Sequence, residues 1–107
     1  MIMTEIQAGI CGFRTTVRAR SDDSQHVSLE VMSTCEKITA LAADLGTIDA
    51  YQEIGEGFNG VIHKAVLRHL KGCCAGCVVP SGVFKAVQVA GCVALPAPAS
   101  ITIERIE

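Results

Sequence analysis

The first third of the chain alternates apolar and polar residues with a period of two. Phe13, Thr15, Val17 and Ala19 lie on one face, and Arg14, Thr16, Arg18 and Arg20 lie on the other. The alternation resumes at Val27, Leu29 and Val31, after the polar segment 21–25, which has the composition of a turn. This pattern predicts two half-buried antiparallel strands joined as a hairpin. Two weaker signals predict further strands, one over residues 2–8 and one at the C-terminus, where Ile101, Ile103 and Ile106 recur.

Apolar positions three and four residues apart follow the hairpin and predict a first helix. Its stripe comprises Ile38, Leu41, Ala42 and Leu45. Either Ser33 or Thr34 is placed to cap this helix, and Ser33 with Glu36 matches a capping box. The acids of the segment that follows are expected to form a solvated helix face (Asp44, Asp49, Glu53 and Glu56), and the glycines of residues 55–60 indicate a connector.

Two more helices are predicted in the second half of the chain. One spans residues 61–70, and the other opens at Ser81, after Pro80, and runs toward Pro96. Their apolar positions are Ile62, Val66 and Leu70 in the first helix, and Val83, Val87, Ala90 and Val93 in the second. Strands followed by helices and a final strand favour a single α+β domain over residues 1–107. We expect about three helices on one face of an antiparallel sheet of three to four strands.

Composition and charge limit the classes of partner. The chain is 50% hydrophobic with only three phenylalanines, one tyrosine and no tryptophan, so its core must be aliphatic. The net charge is −2 and the nine basic residues form no stripe, which argues against a nucleic-acid partner. Residues 72–103 carry one charge, Lys85, but their prolines interrupt any membrane span. We expect this apolar third to be buried or to face a second subunit in a homodimer.

Six cysteines are the main chemical signal: Cys11, Cys35, Cys73, Cys74, Cys77 and Cys92. Residues 1–6 lack the positive flank and long apolar stretch of a signal peptide, so a cytosolic location is expected. Thiols stay reduced there, which favours metal ligation, redox chemistry or packing over structural disulfides.

The hairpin predicts where two of these cysteines meet. If its turn is centred near Asp23, Phe13 faces Ser33 and Cys11 faces Cys35, just beyond the paired strands. Cys35 also falls in the first turn of the predicted helix, where free N–H groups and the helix dipole stabilise a thiolate. That environment suits a metal ligand and a redox nucleophile equally, and a small buried residue at the junction is the simpler alternative.

Cys73, Cys74 and Cys77 form the densest cluster. Cys74 and Cys77 have the C-x-x-C spacing at which two sulfurs bind one metal, although thiol-redox proteins use the same spacing. Here the pair follows a predicted helix and ends at residues 78–80, Val-Val-Pro, which favours metal or cluster ligation. Cys73 either replaces Cys74 as a ligand or points into the core.

The remaining candidates are weaker. Cys92 falls among apolar helical positions, so packing is its expected role. His69 lies close to the cysteine cluster in the sequence. Three roles are open to it: a metal ligand, a hydrogen-bond donor to a ligand, or a cation at the C-terminal end of its helix. No motif of a known catalytic class is present, so nothing in the sequence assigns an enzymatic reaction.

Five short motifs resemble a family of small uncharacterised cysteine proteins found mainly in anaerobic bacteria and archaea. They are Cys11-Gly12-Phe13, Ser33-Thr34-Cys35-Glu36, Cys77-Val78-Val79-Pro80, Lys85-Ala86 and Ala94-Leu95-Pro96. The resemblance implies a ligand set of Cys11, Cys35, one of Cys73 or Cys74, and Cys77. An anaerobic setting favours an iron–sulfur cluster over zinc.

The leading hypothesis is therefore a small cytosolic protein that binds an iron–sulfur cluster, with Cys11, Cys35, Cys74 and Cys77 as ligands and Cys73 as the substitute for Cys74. Electron transfer, cluster storage or a structural role would suit such a site, and the redox partner is unspecified. A structural zinc site, a metal-free dithiol/disulfide protein and a dimerising interaction module are the alternatives.

Overall fold

Three strands from the first third of the chain form most of a sheet in the computed structural model, which describes residues 1–107. They are β1 (Ile2–Gln7), β2 (Arg14–Arg20) and β3 (His26–Ser33). A two-residue strand, β4 (Ile48–Asp49), pairs with the start of β3. All pairings are antiparallel and the strand order is β1-β2-β3-β4. The strands predicted over the hairpin and over residues 2–8 are confirmed.

The hairpin register differs from the predicted one by two residues. Ser33 lies opposite Thr15, and not opposite Phe13, because the turn is centred on Ser24. Ser24 adopts a positive φ of 60°, a backbone conformation that residues other than glycine rarely adopt. The faces of β2 are as predicted, since Thr15, Val17 and Ala19 are buried.

Helices cover one face of the sheet. They are α1 (Glu36–Ala43), α2 (Ala50–Glu56), α3 (Val61–His69) and α4 (Val79–Ala90). Helix α4 packs against β1 and β2, and α1 packs against β3. Two 3₁₀ segments, Gly57–Asn59 and Gly72–Gly76, precede α3 and α4 respectively. The prediction of an α+β fold is confirmed, with α2 as an additional short helix.

Aliphatic side chains build the core between the sheet and the helices. Its fourteen buried members are Val17, Ala19, Val27, Ile38, Leu41, Ile48, Ala50, Ile62, Ala65, Leu70, Val79, Val83, Ala86 and Val87. No aromatic ring is among them, as the composition predicts. Helix α4 contributes four of these residues, and every other strand or helix contributes at most two.

Two predicted helix starts are wrong. Helix α1 is preceded by Cys35 as its N-cap residue, not by Ser33 or Thr34, and no side chain caps it. The Ser33 hydroxyl instead accepts a hydrogen bond from the Cys35 N–H and pairs with the Thr15 hydroxyl across the sheet. Helix α4 begins at Val79 rather than Ser81, because a proline is tolerated in a first helical turn, where its missing N–H has no intrahelical partner.

The predicted C-terminal strand is not formed. Residues 91–107 contain no helix or strand, and the apolar side chains Ile101, Ile103 and Ile106 are exposed. The fourth strand of the sheet is β4, which is too short to leave an alternating pattern in the sequence. Helix α4 ends at Ala90, before the predicted position near Pro96.

Glu53 is buried, contrary to the expectation of a solvated acid. Its side chain is 3% exposed, and its two carboxylate oxygens accept hydrogen bonds of 3.0 Å from the backbone N–H groups of Val61 and Ile62. These groups lack partners within α3, so the carboxylate caps that helix from α2. Gly60 leaves room for it, because a Cβ there would lie 2.6 Å from the carboxylate oxygens.

One stretch, Gly72–Ala90, is apolar and long enough to cross a membrane by length and composition alone. It contains a 3₁₀ segment and the separate helix α4, whose 12 residues span about 18 Å at 1.5 Å per residue. That length is short of the roughly 30 Å apolar thickness of a bilayer. Helix α4 places its apolar side chains Val83 and Val87 in the protein core.

Replacing Glu53 by alanine should lower the free energy of unfolding by about 2–3 kcal/mol, because two buried N–H groups lose their only acceptor. Urea unfolding followed by circular dichroism measures this change. The exposed Glu56 of the same helix provides the control, and Glu56→Ala should change stability by less than about 0.5 kcal/mol. Equal effects of the two substitutions would contradict the capping role.

The hairpin turn predicts a pH dependence of stability. Asp23 accepts hydrogen bonds from the backbone N–H groups of Gln25 and His26, and its second oxygen lies 2.7 Å from His26 Nδ1. The hydrogen bond to Asp23 raises the pKa of His26 above its ordinary value of 6.5, with a further contribution from the Asp23 charge. The same hydrogen bond lowers the pKa of Asp23.

Because the folded pKa of His26 is the higher one, the stabilisation is complete below the unfolded value and is lost as the pH rises through the folded value. Urea unfolding at about pH 5.5 and about pH 9 should therefore show wild type losing its advantage over His26→Gln at the higher pH. A stability difference between the two proteins that does not change with pH would exclude this coupling.

Candidate metal centre

A tight turn between β1 and β2 presents Cys11. The Ala8 N–H donates to the Phe13 carbonyl at 3.1 Å, and the Gly12 N–H donates to the Gly9 carbonyl at 2.9 Å. Gly9 and Gly12 have φ angles of 87° and 74°, which glycine adopts without steric cost. The glycines that flank this turn therefore allow it to close, and Cys11 lies exposed within it.

Cys35 lies at the junction between β3 and α1, at the same end of the sheet as Cys11. The end of β3 is tied to the start of β2, since the Thr34 N–H donates to the Arg14 carbonyl and the Arg14 N–H donates to the Thr34 hydroxyl. Arg14 also pairs with Gln7 at the end of β1. The loop that carries Cys11 and the junction that carries Cys35 are therefore adjacent.

The 3₁₀ segment Gly72–Gly76 brings a third chain segment to this end of the sheet. The Cys77 N–H donates to the Cys74 carbonyl at 3.1 Å, so these two cysteines share one turn. The Lys37 ammonium group, in the first turn of α1, donates to the Cys74 sulfur at 3.3 Å. This contact places the C-x-x-C turn beside Cys35, which is two residues before Lys37 in sequence.

Burial divides the six cysteines, all of which are free thiols, into two groups. Cys35, Cys74 and Cys77 are half-buried and pack against the hydrophobic core, whereas Cys11, Cys73 and Cys92 are exposed. Of the neighbouring pair, Cys74 is the one directed toward the core.

Electrostatics link four of these thiols. Burial raises the pKa of Cys77 above its ordinary value, and negative charge on Cys11, Cys35 and Cys74 raises it further. A hydrogen bond from the Val79 N–H, at the start of α4, acts in the opposite direction. A Cys77 thiolate is therefore disfavoured by burial first and by negative charge on its neighbours second. A cation placed among the four sulfurs would favour its ionisation.

The thiols do not stand in ligand geometry. No group of three or more His, Cys, Asp or Glu side chains is arranged to hold a metal ion. Cys11 points its sulfur toward the Ala8 carbonyl at 3.9 Å, and Cys74 is turned toward Lys37. Both are contacts that a change of side-chain rotamer would break.

His69 is committed to another contact. Its Nε2 atom hydrogen-bonds Asp44 Oδ2, and Arg68 Nε donates to the same oxygen at 3.3 Å. The hydrogen bond from His69 is the main cause of a lowered pKa at Asp44, and Arg68 adds to it. His69 thus joins the end of α3 to the end of α1.

Cys92 is not a packed helical residue, contrary to the sequence-based expectation. It follows the end of α4, is exposed, and has a positive φ of 62°. Its sulfur lies 3.4 Å from the Ser24 hydroxyl, at the hairpin turn. Since β2 runs from the cysteine-bearing loop to this turn, Cys92 lies at the opposite end of the sheet from the other five cysteines.

A shallow cavity of about 270 Å³ lies between the α2–α3 connection and α4, and the sequence pattern did not indicate it. Its lining residues are Gly57, Phe58, His63, Ser81, Phe84, Lys85 and Gln88. His63 makes a T-shaped contact with Phe58 and a tilted contact with Phe84, and its Nδ1 atom is buried without a hydrogen-bond partner. None of the cysteines lines this cavity.

The fold and the cysteine positions define a small α+β protein with a thiol-rich sheet end. The chain belongs to a family of unknown function, DUF6951, whose match covers residues 2–103. No curated protein and no solved structure matches the chain significantly.

Timed alkylation of the metal-free protein should reveal the two groups of thiols. At about pH 8, just below the ordinary cysteine pKa of about 8.5, iodoacetamide should modify the exposed Cys11, Cys73 and Cys92 before Cys77. Burial limits access to Cys77, and its raised pKa lowers the thiolate fraction. Peptide mass spectrometry assigns the order, and modification of Cys77 among the first sites would contradict this placement.

Proposed function

We propose that this protein is a small cytosolic iron–sulfur protein whose cluster is ligated by Cys11, Cys35, Cys74 and Cys77. The observation that carries the proposal is the assembly of these four cysteines from three separate chain segments at one end of the sheet. Cys11, Cys35 and Cys74 are all close enough to Cys77 for their charge to raise its pKa.

The donor set suits soft metals. Thiolates are the ligands of iron–sulfur clusters and of tetrahedral zinc, and the nearby histidine, His69, is bound to Asp44. Hard cations such as Mg²⁺ and Ca²⁺ prefer oxygen donors. Four sulfurs with no nitrogen donor therefore favour a cluster or a structural zinc ion.

Binding requires the four side chains to turn toward one another. Cys11 lies in a turn flanked by Gly9 and Gly12, and Cys74 lies in a short 3₁₀ segment between Gly72 and Gly76. The flanking charges suit the loaded state, because Lys37 offsets thiolate charge at Cys74. The Val79 N–H, which already bonds to the Cys77 sulfur, is the kind of donor that tunes a bound cluster.

A complete set of four thiolates leaves no open coordination position. Such a centre serves electron transfer, cluster storage or structure, and does not act as a Lewis acid on a substrate. A cluster is preferred to zinc because structural zinc sites usually draw on two compact pairs of ligands, whereas Cys11 and Cys35 are isolated in the sequence.

A dithiol/disulfide protein is the second candidate. The specific observation in its favour is that Cys74 and Cys77 share one turn and that the Lys37 ammonium group donates to the Cys74 sulfur at 3.3 Å. Oxidation would join the two sulfurs and release two protons and two electrons, which a partner disulfide would take up to become a dithiol.

Anaerobic purification followed by iron, zinc and acid-labile sulfide analysis tests the proposal. Wild type should contain iron and sulfide in equal amounts, with the visible absorption of a cluster. Cys35→Ser and Cys77→Ser should lose most of both, because each removes a ligand.

Matched controls separate ligation from a general loss of thiols. Cys73→Ser and Cys92→Ser should retain wild-type iron and sulfide, since these exposed residues lie outside the ligand set. Stoichiometric zinc without sulfide would contradict the cluster and would indicate a structural zinc site. If the protein is metal-free and a Cys74–Cys77 disulfide forms reversibly, the cluster and the zinc site are both excluded and the dithiol alternative is supported.

A further inference from the structure

The C-terminal segment has the sequence of a strand but pairs with no strand of its own chain. Residues 100–106 are Ser-Ile-Thr-Ile-Glu-Arg-Ile, rich in β-branched residues that favour strands. Ile101, Ile103 and Ile106 are 73%, 91% and 92% exposed, so three large aliphatic side chains face water. The family match extends to residue 103 and thus includes the alternating Ile101 and Ile103.

Prolines hold this segment away from its own domain. Pro96 and Pro98 restrict themselves and their preceding residues to extended conformations, which makes residues 95–99 a semi-rigid arm. The molecule is correspondingly elongated, with dimensions of 49 × 28 × 24 Å. An arm that projects its strand outward favours pairing with another molecule over pairing with its own sheet.

The sheet offers one matching site. β1 is an edge strand, and its six residues, Ile2–Gln7, have no partner on their outer side. It contains no lysine or proline and only one charge, Glu5, so it lacks the usual features that prevent an edge from pairing. The other edge is less accessible, because β4 pairs with the start of β3 and α1 packs against it.

We propose that two copies of this chain exchange their C-terminal segments, each segment adding a fifth strand beside β1 of the other copy. In a closed two-fold dimer, each of the two C-terminal segments pairs with the free β1 edge of the other copy. The proposal does not depend on a metal or cluster.

The alternation gives the added strand a preferred face. Ile2, Thr4 and Ile6 are the half-buried side of β1, which faces α4, whereas Met3 and Glu5 are exposed. Placing Ile101 and Ile103 on the α4 side extends the apolar layer and leaves Thr102 and Glu104 in solvent, as strand alternation requires.

Sedimentation velocity on the full chain under reducing conditions tests the exchange. Wild type should sediment as a species of twice the 11.2 kDa chain mass. Thr102→Pro, which removes a backbone donor within the added strand, and Ile103→Lys, which removes its apolar contact, should both yield monomers. Ala99→Pro, placed in the arm, is the control and should remain dimeric. Circular dichroism should show the same helix content in all four proteins.

Hydrogen–deuterium exchange identifies the edge that is used. Amides of β1 should be protected in wild type and should exchange faster in Thr102→Pro, while those of β3 remain unchanged. A monomeric wild type, or a dimer that persists in both Thr102→Pro and Ile103→Lys, would overturn the proposal. Protection of β1 in a monomer would mean that the segment folds back onto its own sheet, which also refutes the exchange.

Discussion

The pairing of the start of β2 with the end of β3 is the constraint on which the candidate site depends. Hydrogen bonds between Arg14 and Thr34 and between Thr15 and Ser33 fix where each strand enters its loop. The same contacts set the position from which α1 departs, and with it Cys35 and Lys37. A register slip of one residue would turn Thr15, Val17 and Ala19 out of the core, so the buried face also fixes the place of the cysteines.

The four candidate ligands differ in how far they are buried. Cys35, Cys74 and Cys77 pack against the core, and Cys35 and Cys77 lie beside the starts of α1 and α4, whereas Cys11 lies in an exposed turn. Three half-buried thiols and one exposed thiol are thus available at this end of the sheet. Burial is the main cause of the raised pKa of Cys77, and negative charge on the neighbouring cysteines would add to it.

Much of the fold could be predicted because half-buried strands and amphipathic helices leave periodic patterns. The hairpin register could not be predicted, since it depends on the backbone conformation of Ser24, which no composition rule specifies.

The short helix α2 has little apolar stripe. Its signal in the sequence is the cap residue Asp49, which accepts hydrogen bonds from the Tyr51 and Gln52 N–H groups. The role of Glu53 depends on a contact across eight residues to Val61, a tertiary feature. The exposed turn of Cys92 likewise depends on where α4 ends. The sequence could not decide between Cys73 and Cys74 as the candidate ligand, because what distinguishes the two is their burial.

The central claim is that four cysteine sulfurs, and no other atoms of the chain, hold an iron–sulfur cluster. Iron X-ray absorption spectroscopy on anaerobically purified protein measures this most directly, because it reports the atoms bound to iron and the presence of neighbouring irons. A cluster ligated by four cysteines should give a first shell of sulfur only, together with iron–iron scattering. A shell containing nitrogen or oxygen ligands from the protein, or isolated iron without an iron neighbour, would contradict it.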